Sequence, residues 1–358
     1  MSTAGSKING NVRPEPVHNE SSSPNMPPPE AILTQTIMGS LNAQAVYVAA
    51  KLGVADSLVD GPKGIDELAK SVDADTSSLY RVMRALASLG VFAEDAGKVF
   101  RLTPMSEFLR SDVDGSLRDV AIFMGEDWHW RVWGQTLYSV KTGKEAWSRV
   151  HGASVFPYFS KNPEAARIFD DAMSSLTSLA TKAVTEAYDF SEIKTLVDVA
   201  GGHGKLLAGI LEANPSVRGA LFDLPHVIER AEENGLLGSV KSRCDFVSGD
   251  FFEKVPRADG YIMKHIIHDW SDEEATKILR NISNEMEPNG RVLLVEMVIG
   301  EVNQPDMGKV MDIEMLVSPG GKERTAEEYR ELFAGAGLKL TRIVPTKSPY
   351  SVIEAVKA

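Results

Sequence analysis

Apolar residues recur at helical spacing through the first hundred positions, and the period then shortens. In "AILTQTIMGSLNAQAVYVAAKLG" the positions Ile32, Leu33, Ile37, Met38 and Leu41 mark a helix, with Gly53 a natural stop. "GIDELAKSV" predicts a short helix. "DTSSLYRVMRALASLG" predicts a stronger one, with Leu79, Val82, Met83 and Leu86 on one stripe. Asp75 or Thr76 can cap its start and Gly90 can end it. "VFAEDAGKVFRLT" then reads as two short strands around Asp95-Ala96-Gly97. Three helices followed by a hairpin predict a winged helix over residues 31–115.

Residues 116–186 read as helical and aromatic, with Trp128, Trp130, Trp133, Phe156, Phe159 and Phe169. Most of these rings suit a helix core, and so many together also suit the wall of an aromatic-substrate pocket. From Lys194 onward, apolar strands alternate with helices. The strand candidates are "TLVDVAG", "GALFDL", "RCDFVSGD", "DGYIMKH", "RVLLVEMVI", "KLTRIVP" and "YSVIEAV". Ser271 with Glu274 and Thr325 with Glu328 form capping boxes at helix starts. The pattern predicts an α/β fold with a doubly wound sheet, whose ligands bind beyond the carboxyl ends of the strands. The last two candidates have no helix between them, so they should pair antiparallel.

Composition narrows the function classes. A chain of 358 residues implies two domains plus a tail. Residues 1–30 are rich in Ser, Pro and Asn and lack an apolar h-region, so they are expected to be a disordered tail rather than a secretory leader. A single cysteine, Cys244, excludes an intramolecular disulfide and a cysteine-cluster zinc site, which points to a cytoplasmic protein. No apolar run is long enough to span a bilayer, so no membrane association is expected. The net charge of −12 opposes a polyanionic partner. Residues 31–115 carry eight Lys/Arg against eleven Asp/Glu, and the candidate recognition helix offers only Arg81 and Arg84. A DNA reader should be basic, so the winged helix is expected to serve dimerisation or structure, with no nucleic acid partner.

The chemistry gathers at strand ends. "VDVAGGHGKLL" ends the first sheet strand in a turn where Gly201, Gly202 and Gly204 let the backbone pass close to a ligand. Leu207 stands where a dinucleotide fingerprint needs its third glycine, and Asp198 suits a pyrophosphate poorly, so a nucleoside without phosphates is favoured. Asp223, ending the second strand, can accept both ribose hydroxyls. After the third strand, Asp250 could take an adenine amino group and Phe251 could lie on the ring face. Any one of these acids could as readily be a helix cap; three successive strand ends carrying such signals form a pattern.

The fourth strand leads into "YIMKHIIHDWSDEE". His268 lies where a ligand across the strand tips would present its reactive end. Glu296 and Glu323 fall on later strand ends or loops, and carboxylates both orient a buried imidazole and stabilise its cation. Metal ligation is the competing use of such a set. No close pair of histidines marks a metal site here, so no metal is expected.

The motifs "LVDVAGGHG", "FDLPHVI", "GDFF", "MKHIIHDWSDEE" and "GGKERTAEEYRELFAGAG", in this order, resemble the S-adenosylmethionine-dependent small-molecule O-methyltransferases over about residues 31–357. These include caffeic acid, flavonoid and acetylserotonin enzymes and bacterial polyketide and carotenoid enzymes. The resemblance implies a Rossmann-like methyltransferase domain over 187–358 and a winged-helix homodimerisation domain over 31–115. Between them a helical linker, 116–186, would line the substrate pocket. It implies S-adenosylmethionine as cofactor, held by Asp198, Gly201, Gly202, Gly204, Asp223, Leu224, Asp250, Phe251 and Lys264. It makes His268 the general base, flanked by Glu296 and Glu323, and places Met124, Phe169, Met173, His265 and Asp269 at substrate positions. The implied substrate is a small hydroxylated molecule, aromatic or polyene.

Two residues depart from the family pattern. Ala200 replaces the first glycine of "DxGGGxG", which could narrow the turn. His265 stands where plant members often carry tryptophan, which favours a bacterial-type pocket over one for planar phenylpropanoids. Three other readings are a DNA-binding regulator, disfavoured by charge, a nicotinamide dehydrogenase, disfavoured by the missing glycine, and a relative that keeps the cofactor with altered chemistry.

Overall fold

The computed structural model describes residues 27–358. The tail expected over 1–30 therefore lies outside the described residues as far as Met26, and Pro29 and Glu30 already belong to the first helix, Pro29–Lys51. Proline suits a first helical position because its missing N–H has no partner there to lose. The chain divides into two compact units, one ending at Asn42 and the other running from Ala43 to Ala358.

In the larger unit the winged helix is present. Gly53 ends the first helix region with φ 68°. Helix Ile65–Ser71 and helix Thr76–Ser88 follow, the latter capped by Asp75, whose carboxylate accepts the Ser78 N–H at 2.8 Å. The wing has three strands where the hydrophobic pattern showed two: β1 (Lys63–Gly64), β2 (Phe92–Asp95) and β3 (Val99–Leu102), in the order β1-β3-β2. β1 is too short to leave a period in the sequence. Leu68, Leu79, Met83, Leu86, Phe92 and Phe100 close the core of this region.

The seven strand candidates form one sheet. They are β4 (Thr195–Val199), β5 (Arg218–Asp223), β6 (Cys244–Ser248), β7 (Ala258–Lys264), β8 (Met286–Glu296), β11 (Leu338–Pro345) and β12 (Ser351–Lys357). Their spatial order is β11-β12-β8-β7-β4-β5-β6. β4 through β8 pair in parallel, while β12 pairs antiparallel with both β8 and β11. Parallel strands covered on both faces read as continuous apolar runs, which is why Leu196–Val199 is buried throughout. On one face lie Ala180 and Val184 of helix Pro163–Ala187 with Leu207 and Ile210 of helix Lys205–Ala213. On the other lie Ile278 and Ile282 of helix Asp272–Glu285 with Tyr329 and Phe333 of helix Ala326–Gly335. Both capping boxes form as expected.

The strand order reverses between β4 and β7, so a crevice opens beyond their carboxyl ends. A second, two-residue pairing matters as much. β9 (Val298–Ile299) runs parallel to β10 (Arg324–Thr325), with Val298 opposite Arg324, and this draws Glu323 toward Glu296. No helix among the described residues is long and apolar enough to cross a membrane.

Candidate active site

The turn after β4 is built for close approach. Ala200, Gly202 and Gly204 have φ of 57°, 58° and 78°. Alanine in this left-handed region costs about 1–2 kcal/mol, so the methyl of Ala200 is carried at the expense of strain. A Cβ on Gly201 would stand 2.6 Å from the Asp198 carboxylate and 2.5 Å from Leu221, so no side chain fits there. Asp223 accepts N–H bonds from Gly202 at 2.9 Å and from Leu224 at 2.7 Å, which anchors the turn to the tip of β5. Asp198 is buried, and its Oδ2 has no partner among the described residues. Burial pushes its pKa up to about 7; the Asp223 carboxylate adds to the rise and Lys264 opposes it.

The loop after β7 carries His268, the residue expected to act as base. His268 is buried, and its Nδ1 lies 2.7 Å from Oε1 of Glu323 and 3.5 Å from Oε2 of Glu296. Its Nε2 faces Asp269, 3.6 Å away. Glu296, at the end of β8, is fully enclosed; its Oε1 accepts N–H bonds from Ile266 and Ile267 at 3.1 Å each. Burial alone would hold His268 neutral. The Glu296, Asp269 and Glu323 carboxylates overcome it and raise the imidazole to about 10. Burial in turn pushes Glu296 up to about 7 and Asp269 up to about 6, each restrained by the charge on His268. Ligand atoms of His268, Glu296 and Glu323 lie within 4.8 Å of one another, a spacing that also admits a metal ion. Three separate parts of the chain assemble this set: the loop after β7, the end of β8 and the residue preceding Arg324.

Two stretches of the chain match family profiles: residues 34–112 match the O-methyltransferase dimerisation domain and residues 133–339 the O-methyltransferase domain. The chain belongs to the S-adenosylmethionine-dependent O-methyltransferase family. It is 44% identical over 330 residues to the phenazine O-methyltransferase PhzM of Lysobacter antibioticus, covering 92% of this chain and 96% of that one. It is 31% identical over 327 residues to the phenazine-1-carboxylate N-methyltransferase of Pseudomonas aeruginosa, covering 91% of this chain and 97% of that one. Among solved structures it resembles CalO1, a methyltransferase in calicheamicin biosynthesis in its SAH-bound form. There the TM-score is 0.83 at 34% identity, with coverage of 93% and 100%.

The methyltransferase's glycine turn fits that cofactor on its own chemistry. Asp198 and Asp223 are both acceptors, suited to a ligand that brings an ammonium and hydroxyls, and they would repel phosphates. Leu224 is exposed beside Asp223. Asp250 accepts the Phe252 N–H at 2.8 Å, and Phe251 packs edge-on against Trp270 with centroids 5.8 Å apart. Lys264 lies 3.2 Å from Nδ1 of His265; burial lowers it to about 8, against the pull of Glu296 and Asp198.

The expected pocket residues divide. His265 and Asp269 sit beside His268, and the His265 ring stacks on that of His268 with centroids 5.0 Å apart. Met124, Phe169 and Met173 lie half-buried on the apolar cluster of the winged-helix region, and Phe169 stacks on Phe159 at 4.8 Å. A chain of polar contacts runs from Met124 to the helix Met307–Val317. The Met124 carbonyl lies 3.4 Å from Nδ1 of His129, whose Nε2 is 3.1 Å from Glu314 of helix Met307–Val317. Phe156 also stacks on Trp270, two residues past His268.

The sequence reading missed the residues that brace this loop. Arg324 is fully buried; its guanidinium donates to the carbonyls of Ile267 and Trp270 at 3.0 Å each and to Asp272. Gly321 passes so close that a Cβ would overlap the His268 carbonyl, which accepts the Lys322 N–H at 2.9 Å. Asp312 accepts the Glu323 N–H at 3.0 Å. The paired glycines of "PGGKERT" are the only trace these roles leave in the sequence.

Proposed function

We propose that this enzyme methylates a hydroxyl of a small planar aromatic or polyene metabolite, with Nε2 of His268 taking the hydroxyl proton. The observation that carries this reading is the 2.7 Å contact between Nδ1 of His268 and Glu323 in a buried setting. It commits Nδ1 to the carboxylate and leaves Nε2 for the substrate, the logic by which an acid orients a catalytic imidazole.

The magnitudes support the assignment. A phenol has a pKa near 10 and an ordinary histidine near 6.5, so transfer between them is uphill by roughly 5 kcal/mol. With His268 raised to about 10, that difference disappears. The same shift keeps the resting imidazole protonated at neutral pH, so the reactive form becomes more abundant as pH rises. General-base catalysis contributes about 10²–10⁴-fold, and positioning roughly 7–11 kcal/mol more.

When bound, S-adenosylmethionine supplies an electrophilic methyl group on a positively charged sulfur. In this reading Asp198 takes its ammonium, Asp223 its ribose hydroxyls, Asp250 and Phe251 its adenine, and Lys264 a further polar group. Residues 31–115 pair two copies of the chain, and residues 116–186 wall the acceptor pocket with Met124, Phe169 and Met173.

Relatives methylate both oxygen and nitrogen, and His268 supports oxygen. An amine or ring nitrogen attacks with its own lone pair, whereas a phenol must first lose a proton. Incubation with methyl-labelled S-adenosylmethionine and aminophenol-type aromatics tests this by mass spectrometry. Label on oxygen is expected; label on nitrogen alone would overturn the reading.

A further inference from the structure

His265 is a polar residue that the proton-transfer scheme does not use. Its backbone has φ 55°, a left-handed conformation that side-chain-bearing residues seldom hold without cause. Lys264 Nζ lies 3.2 Å from its Nδ1. An ammonium has no acceptor capacity, so Nδ1 accepts and the ring proton sits on Nε2. Burial lowers the imidazole well below its ordinary range, and the charges of Lys264 and His268 add to this, so the ring is neutral. That Nε2–H is shut off from solvent and finds no acceptor among the described residues. The ring lies against His268 at 24° from parallel, and Tyr350 meets it edge-to-face with centroids 4.5 Å apart.

We infer that Nε2–H of His265 recognises a hydrogen-bond acceptor on the substrate (a ring nitrogen, carbonyl or carboxylate) placed next to the hydroxyl to be methylated. The inference rests on the proposed O-methylation by His268 and names the substrate class for it. A buried donor without a partner is costly, and a ligand that supplies the acceptor removes that cost. The two imidazole rings lie face to face with centroids 5.0 Å apart, so the donor-bearing ring adjoins the ring of the proposed base. An aromatic hydroxyl with a neighbouring acceptor holds its proton in an internal hydrogen bond. His265 would take over that acceptor, freeing the hydroxyl proton for Nε2 of His268.

Two near-isosteric probes test this: 8-hydroxyquinoline, which has a ring nitrogen beside its hydroxyl, and 1-naphthol, which has a C–H there. Binding to the full-length protein saturated with S-adenosylhomocysteine is measured by calorimetry with EDTA present. The wild type should bind 8-hydroxyquinoline about tenfold or more tightly than 1-naphthol, the value of one buried hydrogen bond. His265→Phe should erase that preference while leaving S-adenosylhomocysteine affinity unchanged, and His265→Asn, which keeps an N–H and tolerates positive φ, should restore part of it. Equal affinities in the wild type, or no binding of 8-hydroxyquinoline, would overturn the inference. So would a His265→Phe variant that keeps the preference or loses both probes and the cofactor product equally. A preference that depends on His265 without methyl transfer to either hydroxyl would instead contradict the proposed function and leave this inference standing.

Discussion

Oε1 of Glu323 and Nδ1 of His268 lie 2.7 Å apart although 55 residues separate them, and both side chains are buried. A two-residue parallel pairing, β9 with β10, makes that contact possible by drawing the start of one segment alongside the end of β8. Glu296 lies 3.5 Å from the same nitrogen, and the surrounding carboxylates raise the imidazole to about 10, the range of a phenol.

The pH dependence follows with a definite sign. His268 must lose its proton to act, so kcat/KM should rise with pH across the neutral range instead of levelling above an ordinary histidine pKa. Glu323→Gln removes a charge that raises His268, so its rising limb should move toward acid pH. Its maximal rate should also fall by about 10²-fold, within the range of general-base effects. A pH–rate series on both proteins checks this.

Proton linkage extends the same shift to stability. Folded His268 holds its proton to about 10, whereas the unfolded side chain releases it near 6.5. Its stabilisation is therefore complete below about 6.5 and is lost as pH rises toward about 10. Thermal unfolding between pH 7 and 10 should show a falling midpoint, with a shallower fall in Glu323→Gln.

Arg324 holds the backbone of the loop that bears His268 through two carbonyls and Asp272. Lysine keeps the charge and loses the fork. Arg324→Lys should lower stability by about 2–3 kcal/mol through unmade buried hydrogen bonds and should depress kcat. Urea unfolding and turnover at saturating cofactor measure the two effects.

His268, Glu296 and Glu323 have metal-like spacing, yet Nδ1 already faces Glu323 at hydrogen-bonding distance. A cation there would displace the proton that the mechanism requires. Turnover should therefore be unchanged in EDTA; loss of activity restored by Mg²⁺ would reverse this assignment.

The helix Pro29–Lys51 leaves Leu33, Ile37 and Leu41 more than 60% exposed at spacings of four residues. Ile37 and Leu41 lie within the stretch that matches the O-methyltransferase dimerisation domain, residues 34–112, and an exposed apolar stripe suits a protein–protein contact. Light scattering at micromolar concentration should give a dimer. The double variant Leu33→Glu/Leu41→Glu should give a monomer with its secondary structure intact.

Much of this architecture was legible in the residues. Each parallel strand is one apolar run ending in a polar motif, and Ser271 and Thr325 cap helices as their spacing indicates. The glycine turn and the placing of His268 followed from where strands end. What stayed hidden has physical reasons. β1, β9 and β10 are two residues long and leave no period. Burial of Arg324 and of the His129–Glu314 pair depends on partners more than 50 residues away. The positive φ of His265 follows from loop geometry, and an imidazole in sequence carries no sign of it.

The most direct test is His268→Ala, assayed for methyl transfer and, by calorimetry, for S-adenosylhomocysteine binding. Turnover should drop by about 10²–10⁴-fold while the affinity stays that of the wild type. Normal turnover in the variant, or failure to bind S-adenosylhomocysteine, would contradict the assignment of His268 as the base.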